Sequence, residues 1–286
     1  MLLPCSHDVK TTAQVDPTIG LLRQLDSQHP DVLKAHGIEP GDYHSKLVFR
    51  SAVESIRGTY IASSLTQRQG LVAGVLEDMR QNGLIIDYKP QGARQRFDFQ
   101  VQVTRQPKET AAVEVKGGEG NSINISERPL WASEFVLWCH LDGAIVNQPS
   151  HGAGAIIFNR VCTEMVKRGK HVDAVIFKDA TCNTPLRPCP KYKKKSPSTD
   201  LGVAPDIFLM PEAVPSEENP CPPAHSLQTT QLPAKILQAH GVPPEEFPNH
   251  IWEVVLKLAK DGTGRTLRET RVFHKGKLVE VRRSAR

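Results

Sequence analysis

Acidic and basic side chains alternate with small apolar residues in the stretch "AAVEVKGGEG" at 111–120. Glu114 and Lys116 are two positions apart, so in a β-strand both side chains project from one face. The chain has two other acid-x-lysine triplets, which begin at Asp8 and Asp87. Only the Glu114 triplet lies in a strand whose preceding hairpin partner carries a further acid on its polar face. The sequence therefore directs attention to this strand pair.

The hairpin partner is "RFDFQVQVT", in which Asp98 and Gln100 alternate with apolar residues. If the two strands pair with their apolar faces aligned, Asp98 projects from the same side of the sheet as Glu114 and Lys116. Two converging carboxylates form a hard oxygen site suited to Mg²⁺, and a nearby lysine would orient an attacking water. This chemistry suits phosphodiester hydrolysis. The alternative is a solvent-facing hairpin in which Glu114 and Lys116 are ordinary surface residues.

These residues resemble the core of the PD-(D/E)XK nuclease superfamily, which includes most type II restriction endonucleases. The resemblance covers about residues 65–180 and implies that Asp98 and Glu114 bind Mg²⁺ while Lys116 assists the water. It implies a DNA endonuclease that leaves 5′ phosphates on double-stranded DNA. A homodimer and a cognate DNA methyltransferase are the protein partners that go with this class. Phe97 stands where the family commonly has proline before the first acid.

A glutamate on the preceding helix belongs to the site in many members of the family. Glu77 is the best substitute in this sequence, with Gln69 or Glu54 behind it. Gln100 lies two residues after Asp98 on the same strand face and is predicted to hydrogen-bond within the site.

Other polar and basic residues are candidate DNA contacts. They flank the first strand, follow the glycine-rich stretch or lie in "KYKKK", and they are Arg94, Arg96, Asn121, Ser122, Asn124, Arg128, Lys193 and Lys194. The formal net charge of +5 and the basic C-terminal segment are compatible with a polyanionic partner. A polar connecting loop or a solvated charged surface would have the same composition.

The order of patterned segments predicts an α/β or α+β fold, with a central mixed sheet flanked by helices. The resemblance implies a restriction-endonuclease-like core with N- and C-terminal additions. We divide the chain into a helical segment 1–60, a core 61–180, a proline-rich insertion 181–233 and a C-terminal helix with a basic β-meander 234–286, packed as one domain with the core. Within the insertion, "PDIFLMP" is predicted to form an edge strand. "VLKAHGIEPGDY" and "ILQAHGVPPEEF" are similar enough to indicate a reused helix-to-loop unit.

Composition and the absence of certain motifs argue against several classes of protein. No run approaches the roughly 20 apolar residues of a membrane span, and the N-terminus lacks signal-peptide features, so we expect a cytoplasmic protein without a membrane partner. The six cysteines predict reduced thiols, although Cys182, Cys189, Cys221 and His225 offer a zinc alternative. There is no P-loop, GxSxG or HExxH motif. The competing functions are a repair or mobile-element nuclease of the same core and a non-catalytic DNA-binding protein.

Overall fold

A computed structural model of the chain describes residues 13, 34–35, 37–45, 65–92, 97–116, 124–141, 152–179, 201–202 and 204–285. Within these ranges, the helices with described bounds are α1 (Pro40–His44), α2 (Leu65–Gln81), α3 (Gly152–Arg168) and α4 (Gln231–Ala239), followed by a 3₁₀ helix (Pro244–Asn249). The strands are β1 (Asp87–Pro90), β2 (Phe99–Gln102), β3 (Thr110–Lys116), β4 (Glu134–Leu141), β5 (Ala174–Asp179), β6 (Asp206–Leu209), β7 (Ile251–Lys260), β8 (Thr266–His274) and β9 (Lys277–Ala285). Within the described ranges, no helix is long and apolar enough to cross a membrane. Most of the predicted N-terminal helical segment 1–60 lies outside the described residues.

All nine strands form one mixed sheet in the order of the sequence, from β1 to β9. Strands β3, β4 and β5 are parallel neighbours, and strands β1 to β3 and β7 to β9 pair as antiparallel meanders. The predicted mixed sheet is therefore confirmed. The basic C-terminal meander continues the same sheet as the core strands.

The sheet has a hydrophobic core on each face. One core joins β2 and β3 to helices α2 and α4 through residues such as Phe99, Val113 and Val115. The other contains Ala112, Ile125 and the buried side of α3. The register pairs Phe99 with Val113 and Val101 with Ala111, so the apolar faces of the two strands align as the alternation predicts.

Burial on both faces overturns one expectation about strand β3. The alternation predicts one apolar and one polar face, yet residues 110–115 are all buried. Glu114 is only 5% exposed, so the solvent-facing hairpin alternative is wrong for this residue. Loop 124–133 and α3 cover the second face, and no short-range pattern in the strand specifies that covering.

The predicted edge strand at "PDIFLMP" is also placed differently. Strand β6 lies between β5, to which it is antiparallel, and β7, to which it is parallel. Pro205 and Pro211 flank the strand and do not interrupt its ladder. Proline argues against a central strand only when it stands inside the paired segment.

The two similar segments share a local conformation. Gly37 and Gly241 both adopt left-handed backbone angles, with φ of 69° and 72°. Each follows helical residues and precedes a short helical turn that begins at Pro40 or Pro244. The repeated Ala-His-Gly therefore marks a glycine-terminated helix end, as expected for a reused helix-to-loop unit.

Candidate active site

Asp98 lies at the end of the β2–β3 pairing, beside the backbone of strand β3. Its N–H donates to the Val113 carbonyl at 2.9 Å. Its Oδ2 accepts the Val115 N–H at 2.7 Å. That N–H belongs to the peptide group that directly follows Glu114. The fold therefore places Asp98 against the β3 backbone beside Glu114. Gln69 reaches the Asp98 carboxylate from the α2 face of the sheet, whereas Ser126 reaches the Glu114 carboxylate from the other face, so the two acids do not share one polar face as the alternation predicts.

Glu114 is a buried carboxylate with three donors. Ser126 donates to it from its backbone N–H and from its hydroxyl, each at 3.1 Å. The Lys116 ammonium lies 2.5 Å from Glu114 Oε1. A buried carboxylate must be compensated in this way, because burial without partners costs several kcal/mol.

Lys116 ends strand β3 and retains partial access to solvent. Its side chain is 21% exposed, and its backbone is paired with Cys139 on β4. Burial raises the pKa of the Cys139 thiol to about 12, so this thiol stays protonated at neutral pH. Among the described residues, the Lys116 ammonium and the two carboxylates are charged groups at this end of β3.

The helix contributes a different residue from the one predicted. Gln69 Nε2 donates a short hydrogen bond to Asp98 Oδ1. Glu77 lies eight positions further along α2, which corresponds to about 12 Å. It instead accepts from Arg80 at 2.6 Å and Gln81 at 2.8 Å, and the Arg80 hydrogen bond is the main cause that lowers the pKa of Glu77 to about 2. The structure thus brings Gln69, and not Glu77, to the site.

The remaining predicted residues are dispersed. Gln100 is opposite Ala112 on β3, on the face that carries Glu114. Asn124 is exposed at the start of the loop that covers this face. Arg128 is drawn into a separate network, described next. Six predicted DNA contacts lie outside the described residues, namely Arg94, Arg96, Asn121, Ser122, Lys193 and Lys194.

A second polar cluster surrounds Asp173, just before strand β5. Asp173 is 1% exposed. Its Oδ2 accepts the Phe135 N–H at 2.5 Å, while Oδ1 lies 2.9 Å from both Arg128 Nη1 and His225 Nε2. Burial alone would raise the pKa of Asp173, but His225, Arg128 and the Phe135 N–H together hold it below its ordinary value. Arg128 is therefore committed to an internal carboxylate.

His171, Asp173 and His225 have ligand atoms within 4.8 Å of one another, a spacing short enough for one metal ion. However, Arg128 lies 2.9 Å from the same Asp173 oxygen that both histidines approach. A divalent cation there would meet the guanidinium within a few ångströms, a repulsion on the order of 4 kcal/mol per unit charge. We therefore interpret this cluster as a structural network. Of the predicted zinc alternative, Cys182 and Cys189 lie outside the described residues, and Cys221 is a free, exposed thiol.

Sequence reasoning missed Asp173 and ranked Gln69 behind Glu77. Gln69 lies 29 residues from Asp98, and Asp173 lies 45 residues from Arg128. Contacts over such separations depend on how loops and helices fold over the sheet. No local motif could have identified them.

No protein-family model matches this chain, and no curated protein or solved structure matches it significantly. The fold and the site define a mixed α/β protein with two acids and a lysine at the carboxyl end of a central strand. In sheets with parallel strands, that edge is where ligands commonly bind.

Proposed function

We propose that this protein is a magnesium-dependent endonuclease that hydrolyses DNA phosphodiester bonds. The observation that carries the proposal is the position of Asp98 against the peptide N–H that follows Glu114, with Lys116 2.5 Å from Glu114. An acid on one strand and an acid-x-lysine triplet on its neighbour thus occupy one end of the sheet.

The donor chemistry fits Mg²⁺, which prefers carboxylate and carbonyl oxygens. Asp98 and Glu114 would hold the ion. If the side-chain amide of Gln69 were flipped, its oxygen would face Asp98 and could serve as a further ligand. When bound, Mg²⁺ would supply charge neutralisation at a phosphate oxygen. Lys116 would then orient the attacking water and stabilise the extra negative charge on phosphorus, because its ammonium is already held at Glu114.

The arrangement of elements supports a restriction-endonuclease-like core. Helix α2 precedes the β1–β2–β3 meander, and α3 leads into β5 parallel to its neighbour β4. Strand β4 departs from the implied core. In this chain β4 lies between β3 and α3, whereas the implied core passes directly from its third strand to the helix. Double-stranded DNA, a homodimer and a cognate methyltransferase remain the partners proposed for the restriction type.

A plasmid-nicking assay with and without Mg²⁺ tests the function. We expect Mg²⁺-dependent nicking by the wild type, and Lys116→Ala to reduce its rate by about 100-fold or more, the range for loss of a group that moves or positions a proton. Asp98→Ala removes a ligand of the ion and should reduce the Mg²⁺-dependent rate as well. Matched controls come from strand β1, where Asp87 and Lys89 form the same triplet and their alanine variants should cleave normally. Cleavage that survives both site substitutions would reject the assignment. Discrete fragments would indicate a restriction enzyme, and a smear would indicate a repair or mobile-element nuclease.

A non-catalytic DNA-binding protein is the second candidate, and the partners that the two acids already have favour it. Asp98 is held by the neutral amide of Gln69, whereas Glu114 is already satisfied by Ser126 and Lys116. Gln69 belongs to α2 on one face of the sheet, and Ser126 belongs to the loop on the other. DNA binding without nicking at any Mg²⁺ concentration would support this candidate.

A further inference from the structure

Two large apolar side chains stand at the tip of a tight turn in the loop that covers Glu114. The Ala132 N–H donates to the Pro129 carbonyl at 3.0 Å, which closes a β-turn with Leu130 and Trp131 at its central positions. Leu130 is fully exposed, and Trp131 is 43% exposed. Such positions usually carry glycine, proline, asparagine, aspartate or serine. A leucine and a tryptophan that stay exposed there do not contribute the stabilisation that burial of their side chains would give the fold. Exposed apolar side chains that lie together often mark a binding site.

The turn is held in place by Arg128. The guanidinium donates through Nε to the Ala132 carbonyl at 3.1 Å and through Nη2 to the Ser133 carbonyl. Asp173 anchors the same guanidinium at 2.9 Å. The two apolar side chains are thus presented on a braced support, and binding through them would not require the loop to be ordered first.

The turn is also close to the candidate active site. Ser126, which binds Glu114, lies five residues earlier in the same loop. The Trp131 ring packs edge-on against Phe97, with ring centroids 5.1 Å apart. Phe97 directly precedes Asp98 and packs against the core on the face that carries Glu114.

We propose that Trp131, supported by Leu130, stacks on an unpaired base of the DNA beside the scissile phosphate. The preferred substrate would then be double-stranded DNA that also offers a free base face, such as a single-stranded tail, a fork or a frayed end. Bases within a duplex are covered by their neighbours, whereas an unpaired base of any identity has a π-face available for an indole. Two side chains suit one base, while a stable protein interface needs roughly 20 to 30 residues on each side. This inference rests on the proposed nuclease function.

Tryptophan fluorescence gives a direct test, because the chain has three tryptophans and the other two are buried, Trp138 at 0% and Trp252 at 4% exposure. Trp131 therefore provides the solvent-accessible part of the signal. The full-length protein is titrated without divalent metal, to prevent hydrolysis, with a forked oligonucleotide, a single strand and a relaxed closed-circular duplex. We expect the first two to quench Trp131 and the closed circle to leave it unchanged.

The affinity of the variants completes the test. Trp131→Ala should weaken binding of the forked DNA by roughly 5- to 150-fold, which corresponds to about 1–3 kcal/mol for one stacked base. Trp131→Phe should retain most of the affinity, and it keeps the proposal testable if the alanine variant fails to fold. Leu278→Ala is the matched control, because Leu278 is 52% exposed on strand β9 and should not affect binding.

Each other result would overturn the inference. If the wild type binds no DNA form, both this inference and the proposed function are wrong. If the wild type binds or nicks DNA and Trp131→Ala does so equally, only the stacking role is wrong. If Trp131→Ala instead converts a dimer into a monomer in analytical ultracentrifugation without changing DNA affinity, the turn is an interface between copies.

Discussion

Asp173→Asn tests whether the ion pair with Arg128 stabilises the fold and braces the exposed turn. Breaking a buried pair by removing one partner typically costs 3–5 kcal/mol, because a charge is left without its counter-ion. Arg128 is 27% exposed and would keep its hydrogen bonds to two backbone carbonyls in the variant. Water and these carbonyls therefore reduce the free-energy cost of losing Asp173. We expect Asp173→Asn to lower the free energy of unfolding by about 2–4 kcal/mol at pH 7.

Urea denaturation provides the measurement, with linear extrapolation of the free energy of unfolding. The double variant Asp173→Asn with Arg128→Met should be less destabilised than the sum of the single variants, by about 1–3 kcal/mol of coupling energy. Trp131 should become more accessible to acrylamide in both single variants, because the turn loses its brace. Asp261→Asn is a control that removes a partly exposed carboxylate whose pKa is lowered mainly by the Thr263 hydroxyl, and it should cause a much smaller loss.

The pH dependence gives an independent check on the same pair. The partners of Asp173 lower its pKa in the folded protein. The stability that its charge contributes is therefore present above the unfolded-state pKa of about 3.8. It is lost as the pH falls through the lower pKa of the folded state. The stability difference between the wild type and Asp173→Asn should therefore shrink as the pH falls below about 4. Additive single variants, or a difference that does not change in acid, would refute the reasoning.

Three further predictions concern other sites. Burial raises the pKa of Glu134 to about 7. Glu134→Gln should therefore become more stable relative to the wild type as the pH rises from 4.5 to 8, by about 3 kcal/mol in urea denaturation. Equal pH profiles for the two proteins would contradict a raised pKa of Glu134. Gln69→Glu places a carboxylate against Asp98, so its thermal unfolding midpoint should fall without divalent ions and recover in millimolar Mg²⁺; recovery with Na⁺ at matched ionic strength would argue against a metal site. Iodoacetamide should modify the exposed Cys221 in the native protein but leave Cys139 unmodified until urea unfolds the chain, as peptide mass spectrometry would show.

Much of the local structure could be predicted because it depends on neighbouring residues. The period-2 alternation around Asp98 and in the strand of Glu114 predicts a hairpin with aligned apolar faces, and the observed register has them aligned. A helix is predicted ahead of the strand pair, and α2 is found there at Leu65–Gln81. Strand pairing between segments joined by a short turn requires little long-range information.

The surroundings of the site could not be predicted in the same way. Glu77 has the expected charge, but it points to Arg80, and the helix docks on the sheet with Gln69 over Asp98. Arg128 has a side chain suited to binding phosphate, but it forms an ion pair with Asp173, which lies 45 residues away in the sequence. Side-chain type specifies what a residue can bind, and only its neighbours in space determine what it does bind.

The sequence by itself determined the acid-x-lysine triplet, the acid on its hairpin partner and the α/β class, since these depend on residue types and short-range periodicity. Tertiary structure alone decided that Glu114 is buried, that Gln69 meets Asp98, and that a braced turn exposes Trp131. Such contacts form when loops and helices cover a sheet to bury its two faces. Their free energy comes from the whole packed domain, and no single segment encodes it.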